Sequence, residues 1–231
     1  MRTDLSAGFW NSAELRALGF KSIGENVSIS RSCEIVGQDN IEIADNVRID
    51  AFCSIIATGP IRLGSCIHIG GGSLLCGRGG ITMEDFSGLS GGVMLYSASD
   101  DYTGRHMTNP MVPAEYTAVK VAPIHLGRHA IIGAGAIILP GVTVGEGAAL
   151  GALSLATRRI EPWSIYSGVP AQRVAARSKR LLDHETRLLA DNDALDSDFA
   201  RAANGDGRAG GAGVRSTRLA DYSLGRAGER H

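Results

Sequence analysis

The chain has 231 residues, enough for one domain with a sizeable core. Its formal net charge is −1 with 20% charged residues, which excludes a protein held to nucleic acid or to an anionic membrane by bulk charge. The 31 glycines against 5% aromatic residues point to many tight turns around a core of small aliphatic side chains.

In chain order, residues 1–22 read as an N-terminal helical cap. Ser12 to Leu18 forms a short helix with Ser12 as its cap and Gly19 as its stop, placed to cover the open end of the repeats that begin at residue 23. The opening residues lack a basic stretch leading into an apolar one, and no run of about 18 apolar residues comes after them. The expectation is a cytoplasmic protein that is not inserted in a membrane.

From residue 23 the sequence repeats. Ile23, Ile29 and Ile35 are six apart, and the trio returns every twenty residues as Ile43, Ile49, Ile55, then Leu63, Ile69, Leu75, then Met83, Leu89, Leu95. The two residues beyond three hexads fall at the same phase each time and carry Ile41, Ile61 and Ile81. A second block keeps strict six-residue spacing through Leu126, Ile132, Ile138, Val144 and Leu150. There a glycine follows four of the five, and Ala130, Ala136, Val142, Ala148 and Ser154 stand four places on. Neither a helical period of 3.6 nor simple alternation gives a six-residue beat. It is the beat of a triangular coil, one short strand and one bend per hexad, with coils stacked about 4.8 Å apart. The fold expected over residues 23–170 is an all-β parallel β-helix. Cys33 and Cys53 share a phase and should stack in its core as small hydrophobes.

Residues 97–122 break the repeat as a polar loop insertion, and loops of that length in compact domains carry function or are disordered. Residues 171–191 read as a C-terminal helix with Val174, Leu181 and Leu188 on one stripe. Residues 192–231, rich in Gly, Ala, Arg and Asp without periodicity, read as a disordered tail.

The second block, with IIGAGAIILPGVTVGEGAALGA followed by SGVPAQRV, resembles the hexapeptide-repeat acetyltransferases. Residues 20–180 are similar to the galactoside and maltose acetyltransferases. The stretch SASDDYTGRHMTNPMVP is similar to nucleotide-amino-sugar N-acetyltransferases of the GDP-perosamine type. The resemblance implies a left-handed β-helix, acetyl-CoA as co-substrate, no metal, and a homotrimer with its sites in the clefts between subunits. No nucleic-acid or membrane partner is expected. Ala134, Ala152, Thr157 and Arg158 match positions that line the donor in the family. Gln172 falls where a basic residue is usual, so Arg173 and Arg177 are the candidate phosphate contacts.

In the family the loop presents a catalytic histidine, commonly within S-H-D-Y. Here Ser99, Asp100, Asp101 and Tyr102 stand in that order, with Asp100 in the histidine's place. Asp100 is therefore the candidate catalytic group, with His106, the histidine of the loop, as rival base. Asp101, Tyr102, Arg105 and Asn109 are candidates for holding the acceptor. A carboxylate suits an amine acceptor better than a hydroxyl, so the expected reaction is N-acetylation of a nucleotide-linked amino sugar for surface polysaccharide. Sugar O-acetylation is the alternative. From other classes stand a carbonic anhydrase-like metal site on His106, His125 and His129, and a non-catalytic scaffold.

Overall fold

The computed structural model describes residues 7–191. The expected tail, 192–231, and the first six residues of the expected cap lie outside the described residues. The chain divides into two compact units after Arg177. The first holds nearly all the regular structure; the second contributes, among the described residues, a helix over 181–191.

The first unit is a left-handed parallel β-helix of about 7 turns. Its strands fall into three parallel ladders, and each ladder is one phase of the repeat. Ile23, Ile43, Leu63, Met83, Leu126 and Val144 stack in register on the first face. Ile29, Ile49, Ile69, Leu89, Ile132 and Leu150 do so on the second. Ile35, Ile55, Leu75, Leu95 and Ile138 do so on the third. The extra isoleucines, Ile41, Ile61 and Ile81, lengthen the first-face strands, so that each sends two side chains inward. These residues form one continuous core. The residue between two inward side chains must point out, as the strand's period of two requires.

Small residues fill the corners. Cys33 and Cys53 stack as expected: Glu34 N–H donates to the Cys53 carbonyl at 2.9 Å, and Cys53 is 1% exposed. The neighbouring Cys33 thiol and burial together push the Cys53 thiol up, away from the reactive thiolate form. The glycines of the second block are required by close approach rather than by backbone conformation. Gly127 and Gly133 carry no left-handed φ; a β-carbon on Gly127 would lie 2.7 Å from Glu146 N, and one on Gly133 would run into Ala152 N. Glycine is needed there because the next coil passes directly over it. Left-handed corners fall elsewhere, several on non-glycine residues such as Phe52, His129 and Leu153.

Both ends are closed. The strand Phe9–Asn11 pairs antiparallel with Ser28–Ser30, and the helix Ser12–Arg16 follows. Its cap is Asn11 rather than Ser12: Asn11 Oδ1 accepts from Glu14 N at 3.0 Å, and Glu14 Oε2 accepts from Asn11 N at 2.9 Å. Ser12 is buried and accepts from Val27 N at 2.8 Å, tying the helix to the first coil.

At the other end the structure corrects the expected helix over 171–191. Gln172–Ala176 is a strand, paired antiparallel with Ser164–Ser167, and helix begins only at 181. The physical reason is the open edge of the last coil. Its unpaired N–H and C=O groups would otherwise face solvent or a stranger's strand, and the returning chain satisfies them.

Core deletions should be costly throughout. Ile69 is fully buried in the middle of the second ladder. Ile69→Ala should lower the unfolding free energy by about 2–5 kcal/mol, read from the urea midpoint.

Candidate active site

The three faces differ on their outer sides. The first turns out Glu42, Arg62, Thr82 and His125. Three of the four are bound into ion pairs, Arg62 with Glu42 at 3.3 Å and His125 with Glu84 at 3.0 Å. A shallow depression of about 410 Å³ lies on this face, and none of the candidate site residues lines it. The third face turns out Ser54 and then Leu74, Met94, Ile137 and Leu155, the last four an apolar strip running up the prism.

The edge between the second and third faces is built from the smallest residues in the chain. Ser90–Gly92 lie one coil above Gly70–Gly72, with Gly92 N donating to Gly71 O at 2.9 Å. Gly133–Gly135 follow, Gly135 N donating to Gly91 O at 3.0 Å. Next come Gly151–Leu153, Leu153 N donating to Ala134 O at 2.8 Å. Ala134 and Ala152 are exposed along this edge. The result is a strip of largely bare backbone several coils long, open to an extended ligand lying along it and bounded at its last coil by the exposed side chain of Leu153, which lies against Gly135. Two of the residues assigned by resemblance are thus brought together. Ser90, which no motif singles out, stands in the same column. A signal for it exists in the repeat: it sits one place after Leu89, as Gly133 follows Ile132 and Gly151 follows Leu150.

The other donor candidates separate. Thr157 and Arg158 are exposed beyond the third-face strand Leu155–Ala156, and Gln172 and Arg173 are exposed on the returning strand. Arg177 is half-buried instead. Its Nη1 donates to the carbonyls of His129 at 2.8 Å, Gly147 at 3.1 Å and Ala148 at 3.2 Å. This corrects its reading as a phosphate contact: the side chain turns inward to satisfy carbonyls of stacked coils. Arg177→Ala should therefore cost stability, about 1.5–3 kcal/mol by thermal melting, while Arg173→Ala leaves the melt unchanged.

The insertion leaves the prism on a stalk, Ala98–Ser99 paired antiparallel with Lys120–Val121. Ser97 anchors it, its Oγ donating to Cys76 O at 2.6 Å and accepting from Gly79 N at 2.8 Å. Asp100 follows the stalk directly and is half-buried. Asp101 Oδ1 accepts from Thr103 N at 2.8 Å, and Oδ2 accepts from His106 N at 3.2 Å and meets His106 Nδ1 at 3.0 Å. Hydrogen bonds from Thr103 and then His106 hold the Asp101 carboxyl well below the usual carboxylate range. Asn109 Oδ1 accepts from Met111 N at 2.8 Å, while Tyr102 and Arg105 are exposed. The face, edge and loop therefore run in order: the glycine edge with Ser90, the apolar strip, then Asp100 past the next corner.

The three histidines of the metal reading do not converge. His106 is held by Asp101 and His125 by Glu84, while His129 stacks on Phe86 at 5.1 Å. Burial pushes the His129 imidazole below its ordinary pKa. Among the described residues no three His, Cys, Asp or Glu side chains form a group able to hold a metal ion. No helix among them is long and apolar enough to cross a membrane.

No family model matches the chain. It is 42% identical over 174 residues to a dTDP-4-amino-4,6-dideoxy-D-glucose acyltransferase of Escherichia coli, which covers 75% of this chain and 91% of that one. Among solved structures it is similar to AntD, an N-acyltransferase from Bacillus cereus in complex with dTDP and 3-hydroxybutyryl-CoA. The identity is 37%, the TM-score 0.78, and the coverage 80% of this chain and 98% of that one. A hexapeptide-repeat acetyltransferase of Vibrio cholerae shares the fold at 20% identity and a TM-score of 0.50, covering 73% and 82%. The chain thus belongs to the hexapeptide-repeat acyltransferases of the left-handed β-helix fold, a family that includes these amino-sugar N-acyltransferases.

Proposed function

We propose that the protein transfers an acetyl group from acetyl-CoA to the amine of a nucleotide-linked 4-amino-4,6-dideoxy sugar, within the cytoplasm, for surface polysaccharide. The single observation that carries the reading is Asp100, half-buried at the head of the loop, in the place where the S-H-D-Y pattern of the family that the sequence resembles has histidine. A sugar hydroxyl needs a base near neutral pKa, whereas an amine needs orientation and a sink for its proton. The relatives supply the acceptor class: AntD has been solved with dTDP-4-amino-4,6-dideoxyglucose and coenzyme A. The nucleotide, left open by the sequence, is dTDP in these relatives, which supports dTDP here.

AntD has been studied with a serine and an aspartate, ten positions apart, each substituted. Ser90 and Asp100 are ten apart here, and no other serine in the chain has an aspartate ten places on. This supports Asp100 and Ser90 as the pair that meets the amine. The amine lone pair attacks the thioester carbonyl carbon, the C–S bond breaks with its electrons on sulfur, and the proton lost by nitrogen ends on the thiol. Asp100 accepts that proton or a hydrogen bond from the amine as it leaves. The pantetheine arm lies along the bare edge at Ala134 and Ala152, with Thr157, Arg158, Gln172 and Arg173 toward the nucleotide end of the donor. Tyr102, Arg105 and Asn109 flank the acceptor.

Ser90 and Asp100 stand on opposite sides of the apolar third face. Burying that face in a homotrimer would bring the loop of one subunit to the glycine edge of the next. The test is an acceptor panel with acetyl-CoA, read by thiol release. dTDP-amino sugars should react, and the matching sugar nucleotide bearing hydroxyl in place of amine should not. Equal rates on the hydroxyl sugar would move the protein to the O-acetyltransferases.

A further inference from the structure

We propose that Asp101 is a positioning residue, which acts on the reaction through Asp100 by closing residues 101–106 into a turn. The inference rests on the role of Asp100 proposed above. Asp101 sits in a loop whose other residues are largely exposed, yet its own side chain is only 12% exposed. Both carboxylate oxygens are used inside the loop. Oδ1 takes Thr103 N at 2.8 Å; Oδ2 takes His106 N at 3.2 Å and His106 Nδ1 at 3.0 Å. A group so occupied is poorly placed to hold a substrate, and the contacts that hold its carboxyl ionised are all with its own loop.

The turn has a fixed base and a fixed far side. The stalk pairs Ser99 with Lys120, so the chain is anchored one residue before Asp100. Asp101 anchors it one residue after. Beyond the turn, Met107 N donates to Tyr116 O at 2.9 Å, which ties the far side of the loop to itself. Asp100 is thus the single residue between two fixed points in an otherwise solvent-facing loop. The backbone at Asp100, itself half-buried, is thereby held from both sides. His106 is then the donor that locks Asp101, rather than the base that receives the acceptor's proton.

The experiment uses the full chain with acetyl-CoA and a dTDP-4-amino-4,6-dideoxy sugar. Asp101→Asn should lower kcat by about 10²-fold, the scale of a small misplacement of a reacting group, with KM for acetyl-CoA and the melting temperature unchanged. In an Asp100→Asn background the same substitution should cost little more, because what it positions is already gone. His106→Gln, which keeps a donor for Asp101, should lose less kcat than His106→Ala. Full activity of Asp101→Asn, losses that multiply with those of Asp100→Asn, or equal losses in the two His106 variants would each overturn the proposal. If Asp100→Asn is itself silent, the reading of Asp100 fails and the positioning role falls with it. An impaired Asp100→Asn beside an unimpaired Asp101→Asn removes the positioning role alone.

Discussion

Replacing Asp100 with Asn should lower kcat on an amino-sugar nucleotide by about 10²–10³-fold, while KM for acetyl-CoA stays near its wild-type value. The substitution keeps the shape and removes the charge. An amide at that position can still accept a hydrogen bond from the amine through its oxygen, but it can no longer take up the proton. The edge at Ala134 and Ala152, the proposed donor strip, is a different edge of the prism, so on this reading donor binding has no reason to change. His106→Ala should cost less than Asp100→Asn, since the imidazole is turned toward Asp101. Steady-state kinetics on both variants decide the matter. A larger loss for His106→Ala would restore histidine as the base.

Placing a charge on the apolar third face should have an effect of similar size by a different route. Met94 and Ile137 are adjacent on its outward ladder, between Leu74 and Leu155. In the proposed trimer they are covered, and an uncompensated carboxylate there costs about 3–5 kcal/mol. Ile137→Glu should therefore weaken assembly by roughly 10²–10⁴-fold. Sedimentation should show the wild type as a trimer and the variant dissociating at micromolar concentration, with transfer activity falling in parallel. The side chain points away from the core, so the monomer should keep its β-helix signal in circular dichroism. A variant that stays trimeric would place the subunit interface on another face.

The β-helix is legible in the sequence because its core is periodic. Ile29, Ile49 and Ile69 recur at one phase, and a ladder needs nothing else to declare its register. What the beat reports is the inward side chain of each hexad, so everything outside it is harder to read. The strand Gln172–Ala176 has no beat; it exists because Ser164–Ser167 offers an unpaired edge, a fact of assembly rather than of local propensity. Arg177 goes with it, since a helix would have carried the side chain to solvent while the strand delivers it to three carbonyls. The shift of the N-terminal cap is smaller: Asn11 and Ser12 are both cap formers, and the choice falls to Asn11 because Glu14 completes a reciprocal pair with it.

At the site the same division holds. Ala134 and Ala152 are candidates through resemblance to motifs on the regular coils, and the coils put them on one edge. Asp100 is found through a departure from a family pattern, which is a sequence observation. Ser90 escapes sequence reasoning because a serine in a glycine-rich bend carries no motif, although its column is written in the repeat. The bonds between Asp101, Thr103 and His106 depend on how one turn closes, and no spacing rule announces them.

The most direct measurement is the identity of the product when the purified protein is given acetyl-CoA and dTDP-4-amino-4,6-dideoxyglucose. Mass spectrometry and proton NMR should show one acetyl group per sugar, bound as an amide at the amino carbon, with one free thiol released for each. Acetyl found on a hydroxyl oxygen, or coenzyme A released with no change in the sugar nucleotide, would contradict the assignment.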